Sequence, residues 1–197
     1  MGQYIIVNLG RLLELNGEVK CNNLLSSFIC KKNKDVQYYL EHNAVEFNKQ
    51  RVAITYLVFY FENDKVKLIA YYTLTNKCVS VPLKNISKTL QKRIKKFAQY
   101  DEIGKSFQVP MPLIGQLGKD DLCVDLIEGR TLLEMALTKV REAQNLIGGK
   151  TTYIECSSEP KLEKFYKDNN FVWFGKNGID KNEYLDQMIY YDNDSSK

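Results

Sequence analysis

The feature that most constrains the fold is a long helical stripe followed at once by a β-rich segment. Between residues 129 and 147, apolar side chains recur every three or four positions, at Leu132, Leu133, Ala136, Val140 and Ala143. This is the spacing of one face of a helix, and the Gly-Gly pair at 148–149 marks its end. Residues 151–156 are then rich in β-forming side chains. The chain is therefore predicted to be α/β, with one long helix whose apolar face is buried.

The first half of the chain is predicted to contain a helix and a hairpin. Residues 35–49 place Val36, Leu40, Ala44 and Phe47 at helical spacing, after an N-terminal strand or strand pair. Residues 53–62 and 65–75 are β-rich, and the Asn63-Asp64 pair between them supplies turn chemistry. They predict an antiparallel hairpin.

The middle of the chain is predicted to hold an insertion. Ser87 is suited to cap a basic helix that reaches about Tyr100, within a helical insertion over residues 83–109. Pro110 and Pro112 are expected to flank the start of a short central strand over residues 113–119.

The last third predicts a helix and two further strands. Pro160 is suited to the first turn of a short helix, and aromatic-rich residues 171–174 and 184–191 predict terminal strands. The whole, residues 1–197, is predicted to be a single domain with a mixed, mostly antiparallel sheet flanked by helices.

Cysteine and histidine usage excludes several classes of protein. Five widely spaced cysteines without a C-x-x-C pair, and the single histidine His42, argue against a zinc site and a Ser-His-Asp hydrolase. His42 is expected to be an ordinary surface or half-buried side chain, and no metal site is predicted. Reduced thiols, no long apolar span and no signal peptide together predict a cytoplasmic protein with no membrane partner.

Positive charge is concentrated in one segment. The net charge is only +4, yet six cations fall within thirteen residues: Lys84, Lys88, Lys92, Arg93, Lys95 and Lys96. The segment is either a patch for an anionic partner or the solvated face of a helix. Both interpretations stay open at this point.

Several landmarks, in order, resemble the core of the GNAT N-acetyltransferases. Residues 112–117 (P-L-I-G-Q-L) look like that family's fourth strand, and residues 129–133 (G-R-T-L-L) look like the opening of its cofactor-binding helix. Phe165-Tyr166 followed by residues 169–171 (N-N-F) is similar to its F-Y-x-x-x-G-F signature. Residues 70–74 (A-Y-Y-T-L) are similar to the G-Y-Y-T-L strand of toxin-like members. The resemblance spans about residues 27–191.

The resemblance implies acetyl-CoA as cofactor and two groups of cofactor-binding residues. In the family, the pantetheine arm pairs with the main chain of the fourth strand, here Leu117, Gly118 and Lys119. The phosphates meet free amides at the helix N-terminus, where unsatisfied donors and the positive dipole end converge, here Gly129, Arg130, Thr131 and Leu132.

The phosphate loop departs from the family pattern. The usual Q/R-x-x-G-x-G/A is reduced to its last glycine, Gly129, and four acids crowd the loop: Asp120, Asp121, Asp125 and Glu128. Lys119 and Arg130 are expected to offset part of this charge. Cofactor affinity is therefore predicted to depend mainly on the main-chain amides.

Two side chains are predicted to be catalytic. The family tyrosine that matches Tyr166 donates a proton to the departing thiolate, and packing is its alternative role. Glu155, at the end of a strand, is the candidate base, acting directly or through a water, although strand alternation also allows it to face solvent. Cys156 has no histidine near it in sequence, so packing is the favoured role over covalent catalysis.

The function predicted from this resemblance is acetyl transfer from acetyl-CoA to a primary amine. The acceptor is expected to be a small molecule, a peptide or a protein, with tRNA and a homodimer left open. Two alternatives remain: a toxin-like enzyme acting on aminoacyl-tRNA, and a non-catalytic GNAT-fold binding module.

Overall fold

The computed structural model describes residues 2–180 and 183–193. Its internal contacts divide the chain into two compact units, each made of two segments. The first unit joins Met1–Thr75 to Ile114–Thr138, and the second joins Asn76–Leu113 to Lys139–Lys197. The boundaries fall within two strands and one helix, so the main chain passes from one unit to the other in regular structure.

The first unit begins with a strand and two helices where only a strand or strand pair was predicted. Strand β1 (Gln3–Asn8) is followed directly by α1 (Leu9–Asn16) and α2 (Glu18–Leu25). The side chain of Asn8 accepts from the amides of Gly10 (2.8 Å) and Arg11 (3.3 Å) and so starts α1. Gly17 separates the helices at φ +77°, a conformation that glycine adopts without strain. This capping was overlooked in the sequence.

The predicted helix over residues 35–49 is confirmed, with one irregular turn. It consists of α3 (Lys34–Tyr38), a π-helical turn (Tyr39–Asn43) and α4 (Ala44–Lys49). The hydroxyl of Tyr71, a residue with no exposed surface, donates to Val36 O at 2.5 Å and ties α3 to the sheet. Leu9, Leu25 and Phe28 belong to the same core.

The predicted hairpin is also confirmed, with a longer second strand. Strands β2 (Ile54–Glu62) and β3 (Lys65–Pro82) are antiparallel and are joined through Asn63 and Asp64. Both turn residues have positive φ, the geometry of a tight hairpin turn. In this unit the strand order is β1-β2-β3-β5, where β5 is Ser106–Lys119.

The second unit corrects the prediction for the insertion. After a 3₁₀ turn (Leu83–Asn85), Ser87 caps α5 (Lys88–Ile94) as predicted, accepting from Leu90 N at 3.2 Å. The helix ends at Ile94 instead of Tyr100, and β4 (Gln99–Asp101) pairs antiparallel with the first residues of β5. The region over residues 83–109 is therefore only partly helical.

The two prolines lie inside β5 instead of flanking its start. The strand begins at Ser106 and includes both Pro110 and Pro112. Residues two apart direct their amides to the same edge of a strand, so both missing N–H groups fall on one edge. The ladder on the other edge is left intact, which explains why the strand tolerates them.

The remaining elements follow the prediction closely. Helix α6 (Gly129–Ile147), strand β6 (Thr151–Ser157) and helix α7 (Pro160–Asp168) precede β7 (Val172–Asp180) and β8 (Glu183–Tyr191). In the second unit the strand order is β3-β5-β6-β8-β7, and β8 pairs antiparallel with both β6 and β7. The predicted fold class, a mostly antiparallel sheet flanked by helices, is confirmed.

Candidate functional site

The N-terminus of α6 presents free backbone donors. The first backbone hydrogen bond of this region runs from Leu132 N to Glu128 O at 3.1 Å. The amides of Gly129, Arg130 and Thr131 precede it and have no backbone acceptor among the described residues. Arg130 is exposed. Three donors, the positive dipole end of a 19-residue helix and a guanidinium thus lie at the predicted phosphate position.

The loop before α6 is fixed by two side chains. The ammonium of Lys119 donates to the carbonyl oxygens of Val124 (3.1 Å) and Ile127 (2.9 Å), and the hydroxyl of Tyr4 donates to Leu126 O at 2.7 Å. The side chain of Lys119 is therefore engaged in the loop, which corrects the expectation that its charge offsets the nearby acids at a phosphate. Its charge offsets carbonyl dipoles instead.

Two of the four acids near the loop are also engaged internally. Asp120 is 1% exposed and accepts from Ile29 N (3.0 Å) and Leu122 N (2.7 Å). Asp121 accepts from Lys31 N at 2.7 Å. These carboxylates hold the turn after Phe28, and their oxygens are directed to main-chain amides. Only Asp125 and Glu128, both exposed, fit the crowding that the sequence suggested.

At the end of β5, a glycine allows neighbouring side chains to pack closely against the strand. Gly118 is buried, and a Cβ at this position would meet Val36 Cγ1 at 2.4 Å and the Tyr71 ring at 3.0 Å. Leu117 and Lys119 on either side are half-buried. Within the first unit, β3 is the strand next to β5.

Tyr166 lies in an aromatic cluster on α7. Its ring makes edge contacts with Phe165 and Phe171, with centroids 5.0 and 5.4 Å away. It is 8% exposed, and its hydroxyl forms no hydrogen bond with any described residue. Burial, followed by the nearby Cys156 thiol, raises the pKa of the phenol above its usual range. The hydroxyl is therefore protonated at neutral pH and free to donate.

Glu155 is the centre of a polar cluster in the second unit. One carboxylate oxygen accepts from the Tyr153 hydroxyl (2.6 Å) and the Asn177 amide (2.8 Å), and both oxygens lie 3.2 Å from Lys77 Nζ. Gln187 donates to the Tyr153 hydroxyl at 2.6 Å. The Glu155 side chain is 15% exposed. It is thus neither solvent-facing nor free, but held by three donors.

The environment decides the charge of Glu155. Burial by itself would raise the pKa of the carboxyl, but the hydrogen bonds from Tyr153, Asn177 and Lys77, together with the Lys77 charge, outweigh burial and lower the pKa. For Tyr153, burial and then the bond to Glu155 raise the pKa. At neutral pH the cluster therefore contains an ionised carboxylate beside a protonated phenol.

The two predicted catalytic side chains lie on different faces of β6. Tyr153 and Glu155 share one face with Gln187, the cross-strand partner of Glu155. Cys156 points to the opposite face, and Tyr166 lies near its thiol. Among the described residues, no hydrogen bond joins Tyr166 to Glu155.

Several cluster members were not found from the sequence. Tyr153 stands two positions before Glu155, so period-2 alternation in β6 was an available signal. Lys77, Asn177 and Gln187 lie 78, 22 and 32 residues from Glu155, and only the strand register brings them together. Tyr4 likewise reaches the α6 loop over 122 residues.

The remaining candidate groups behave as ordinary side chains. His42 is exposed and stacks on Tyr38. Burial, then Asp186 and Glu163, raise the pKa of the Cys156 thiol to about 11, which opposes the formation of a nucleophilic thiolate. Within residues 2–180 and 183–193, no group of three potential ligands could hold a metal ion, and no helix has the length and apolarity to span a bilayer.

The fold defined by these elements is that of the GNAT N-acetyltransferases, as the resemblance predicted. A tyrosine-to-phenylalanine variant of KacT is similar over 96% of this chain and 95% of its own, with 18% identity and a TM-score of 0.67. AtaT complexed with acetyl-methionyl-tRNAfMet is similar over 93% and 94%, with 20% identity and a TM-score of 0.65.

A third solved structure adds a cofactor complex to the comparison. AtaTR bound with acetyl-CoA is similar over 95% of this chain and 92% of its own, with 17% identity and a TM-score of 0.60. No family model matches the sequence, and no curated protein matches it. At these identities the similarity shows a shared fold.

Proposed function

We propose that this protein is an acetyl-CoA-dependent N-acetyltransferase that acts on a primary amine. The observation that carries the proposal is the start of α6, where three backbone amides without backbone acceptors and an exposed arginine follow a loop held by Lys119 and Tyr4. Free amides at a helix N-terminus are suited to phosphate oxygens. The fold is shared with AtaTR, which binds acetyl-CoA.

The cofactor-binding residues are those that the resemblance implied. Gly129, Arg130, Thr131 and Leu132 would hold the phosphates through main-chain amides, helped by the Arg130 guanidinium. Leu117, Gly118 and Lys119 would present backbone groups along the edge of β5. When bound, the cofactor supplies an activated acetyl thioester; the protein supplies binding, orientation and proton donors.

Tyr166 is the proposed general acid. Its hydroxyl forms no hydrogen bond with the described residues, and its raised pKa keeps it protonated at neutral pH, so it holds a proton for the departing thiolate. Tyr166→Phe removes only this hydroxyl, so its free energy of unfolding should stay within about 0.5 kcal/mol of wild type. A loss in kcat of about 100-fold or more is expected. Unchanged turnover in a stable variant would exclude Tyr166 as the acid.

Glu155 is proposed to act on the acceptor amine. Its lowered pKa keeps it ionised, so the carboxylate can attract an ammonium group and orient a water that takes the amine proton. Glu155→Gln keeps the size and two of the hydrogen-bond partners but loses the charge. The variant should raise the KM for the amine more than the KM for acetyl-CoA. An equal effect on both would assign Glu155 a purely structural role.

Thermal unfolding with acetyl-CoA tests the proposal directly. A ligand that binds only the native state at 100 times its Kd adds about 2.7 kcal/mol, or about 5–10 °C in Tm for a chain of this size. Arg130→Glu should weaken binding about tenfold, whereas the control Lys32→Glu, with the same charge change at an exposed turn, should not. No shift at millimolar acetyl-CoA would favour a non-catalytic binding module.

For the acceptor, we propose the α-amine of an aminoacyl-tRNA. AtaT, which shares the fold, has been solved with acetyl-methionyl-tRNAfMet, and residues 84–96 of this chain carry six cations. Transfer of a labelled acetyl group from acetyl-CoA to a pool of aminoacyl-tRNA is measured and compared with transfer to small-molecule, peptide and protein amines. The comparison distinguishes the classes of acceptor. Faster transfer to any of those amines would exclude tRNA as the preferred acceptor.

A further inference from the structure

A groove beside α5 combines positive charge with an exposed aromatic ring. It has a volume of about 410 Å³, and its lining includes Lys88 and Lys92 on the helix, Lys95 directly after it, and the pair Tyr100 and Phe107 on the β4–β5 hairpin. All of these residues belong to the second unit. Tyr100 was predicted to lie near the end of the basic helix, whereas the structure places it on β4.

The three lysines form one row. Lys95 follows the last residue of α5 with helical backbone angles, so positions i, i+4 and i+7 lie on the same side of the helix, and seven helical steps span about 10 Å. This is close to three steps of a stacked nucleic-acid strand at about 3.4 Å each. All three are exposed, and none forms an ion pair with an acid in the described part of the chain. Their charges are available to an anion.

No acid on the same segment competes with an incoming anion. Residues 82–100 contain no Asp or Glu. The first acid that follows, Asp101, uses Oδ1 to accept from Ile103 N and Gly104 N, both at 3.1 Å. The exposed Glu102 is adjacent in sequence. The groove therefore has a strongly positive wall formed by α5.

The aromatic pair provides a platform. Phe107 is 5% exposed and Tyr100 is 48% exposed, and their rings meet edge to face with centroids 5.8 Å apart. The two residues are cross-strand partners, which fixes the Tyr100 ring beside the buried Phe107. Gln91 uses its amide nitrogen to donate to Leu83 O (2.9 Å) and Ile86 O (3.1 Å), so its amide oxygen is free to accept.

We infer that this groove binds a single-stranded RNA segment. A base stacks on Tyr100, the backbone phosphates pair with Lys88, Lys92 and Lys95, and the Gln91 oxygen accepts from a base or a 2′-hydroxyl. A duplex fits less well because its bases are already stacked on each other, and an acidic peptide has no face to match the tyrosine ring. The inference rests on the proposed function only for its link to tRNA, whose acceptor end is single-stranded.

The test is fluorescence anisotropy with a labelled eight-nucleotide RNA, without acetyl-CoA. The triple variant Lys88→Glu, Lys92→Glu, Lys95→Glu should lose binding by more than 100-fold. Neutralising the same three lysines to Gln should lower the slope of log K against log salt by about 2, as expected for three single-strand phosphate contacts. The control Lys31→Glu, Lys32→Glu, Lys34→Glu changes as many exposed charges elsewhere and should bind within about twofold of wild type.

The aromatic part needs its own readout. Tyr100→Ala should weaken RNA binding about tenfold, as for loss of one stacked base, while Tyr100→Phe should stay within about twofold. An abasic strand of the same length should bind wild type and Tyr100→Ala equally. The inference is overturned if the triple Glu variant binds normally, if wild type does not distinguish abasic from intact RNA, or if an eight-residue glutamate peptide binds as tightly.

The outcome is separable from that of the acetyl-transfer proposal. The same groove variants should keep the acetyl-CoA-induced rise in Tm, because the groove residues lie apart in sequence from those assigned to the cofactor. RNA binding that fails while the rise in Tm persists removes this inference alone. Intact RNA binding with no rise in Tm removes the acetyltransferase and leaves the groove.

Discussion

The loop before α6 and the segment around α5 use charged side chains in opposite ways. In the loop, Lys119, Asp120 and Asp121 all point to backbone groups of the protein. Around α5, Lys88, Lys92 and Lys95 have no acidic partner among the described residues. The first set stabilises the conformation of the main chain, and the second leaves unpaired positive charge that can attract an anionic ligand. A count of charges treats both segments alike, and only the hydrogen bonds distinguish them.

The largest expected effect comes from Asp120. Asp120→Ala would leave the Ile29 and Leu122 amides without their acceptor at a buried site, which should lower the free energy of unfolding by about 3 kcal/mol. Urea denaturation measures this. The exposed Asp125, changed to Ala, should cost less than about 0.5 kcal/mol. Equal losses of unfolding free energy for Asp120→Ala and Asp125→Ala would contradict the contrast between charges bonded to the main chain and charges exposed to solvent.

Lys119 should come second. Lys119→Met keeps the aliphatic stem but removes the ammonium from the Val124 and Ile127 carbonyls, at a cost of about 2 kcal/mol. Because the loop shape positions the α6 amides, acetyl-CoA affinity measured by calorimetry should fall as well. Lys95→Met is the matched control and should change neither quantity. A stable Lys119→Met protein with normal affinity would show that the loop does not need this cation.

Glu155 should have a smaller, pH-dependent effect. Since its folded pKa is lowered, the stability it contributes is present above the unfolded value of about 4.3 and is lost as pH falls through the folded value. Glu155→Gln should therefore cost about 1 kcal/mol at pH 7, and its stability should fall less steeply than that of wild type below about pH 4.5. Parallel curves for the two proteins in acid would contradict the lowered pKa.

The smallest effect is expected at the surface of α5. Lys92→Ala removes an exposed side chain without a partner, so the free energy of unfolding should change by less than about 0.5 kcal/mol. The same variant should weaken RNA binding at low salt. A large loss of stability would mean that the α5 lysines are structural, as those of the loop are.

Local patterns predicted the elements whose causes are local. The stripe from Leu132 to Val140 set the bounds of α6, and Ser87 marked the start of α5 by its capping chemistry. The helices α1 and α2 were missed because they are short and their start depends on the Asn8 cap and on Gly17. The position of Pro110 and Pro112 within β5 depends on which edge of the strand is paired, which no local pattern reports.

The candidate site divides in the same way. The amides of Gly129 to Thr131 could be predicted, because every helix begins with free donors. The partners of Glu155 could not be, because Lys77, Asn177 and Gln187 reach it only through the register of three strands. Glu155 could be chosen from the sequence, but its hydrogen-bond partners and its ionised state are known only from the structure.

The cysteines have a practical consequence for following this protein in solution. Cys21, Cys30, Cys123 and Cys156 are buried, and Cys78 alone is exposed, next to Lys77 on β3. A maleimide dye should therefore attach at one natural position without engineering. Because successive side chains of a strand point to opposite faces of the sheet, the dye would lie on the face opposite Lys77, and labelling should leave the Lys77–Glu155 pair intact.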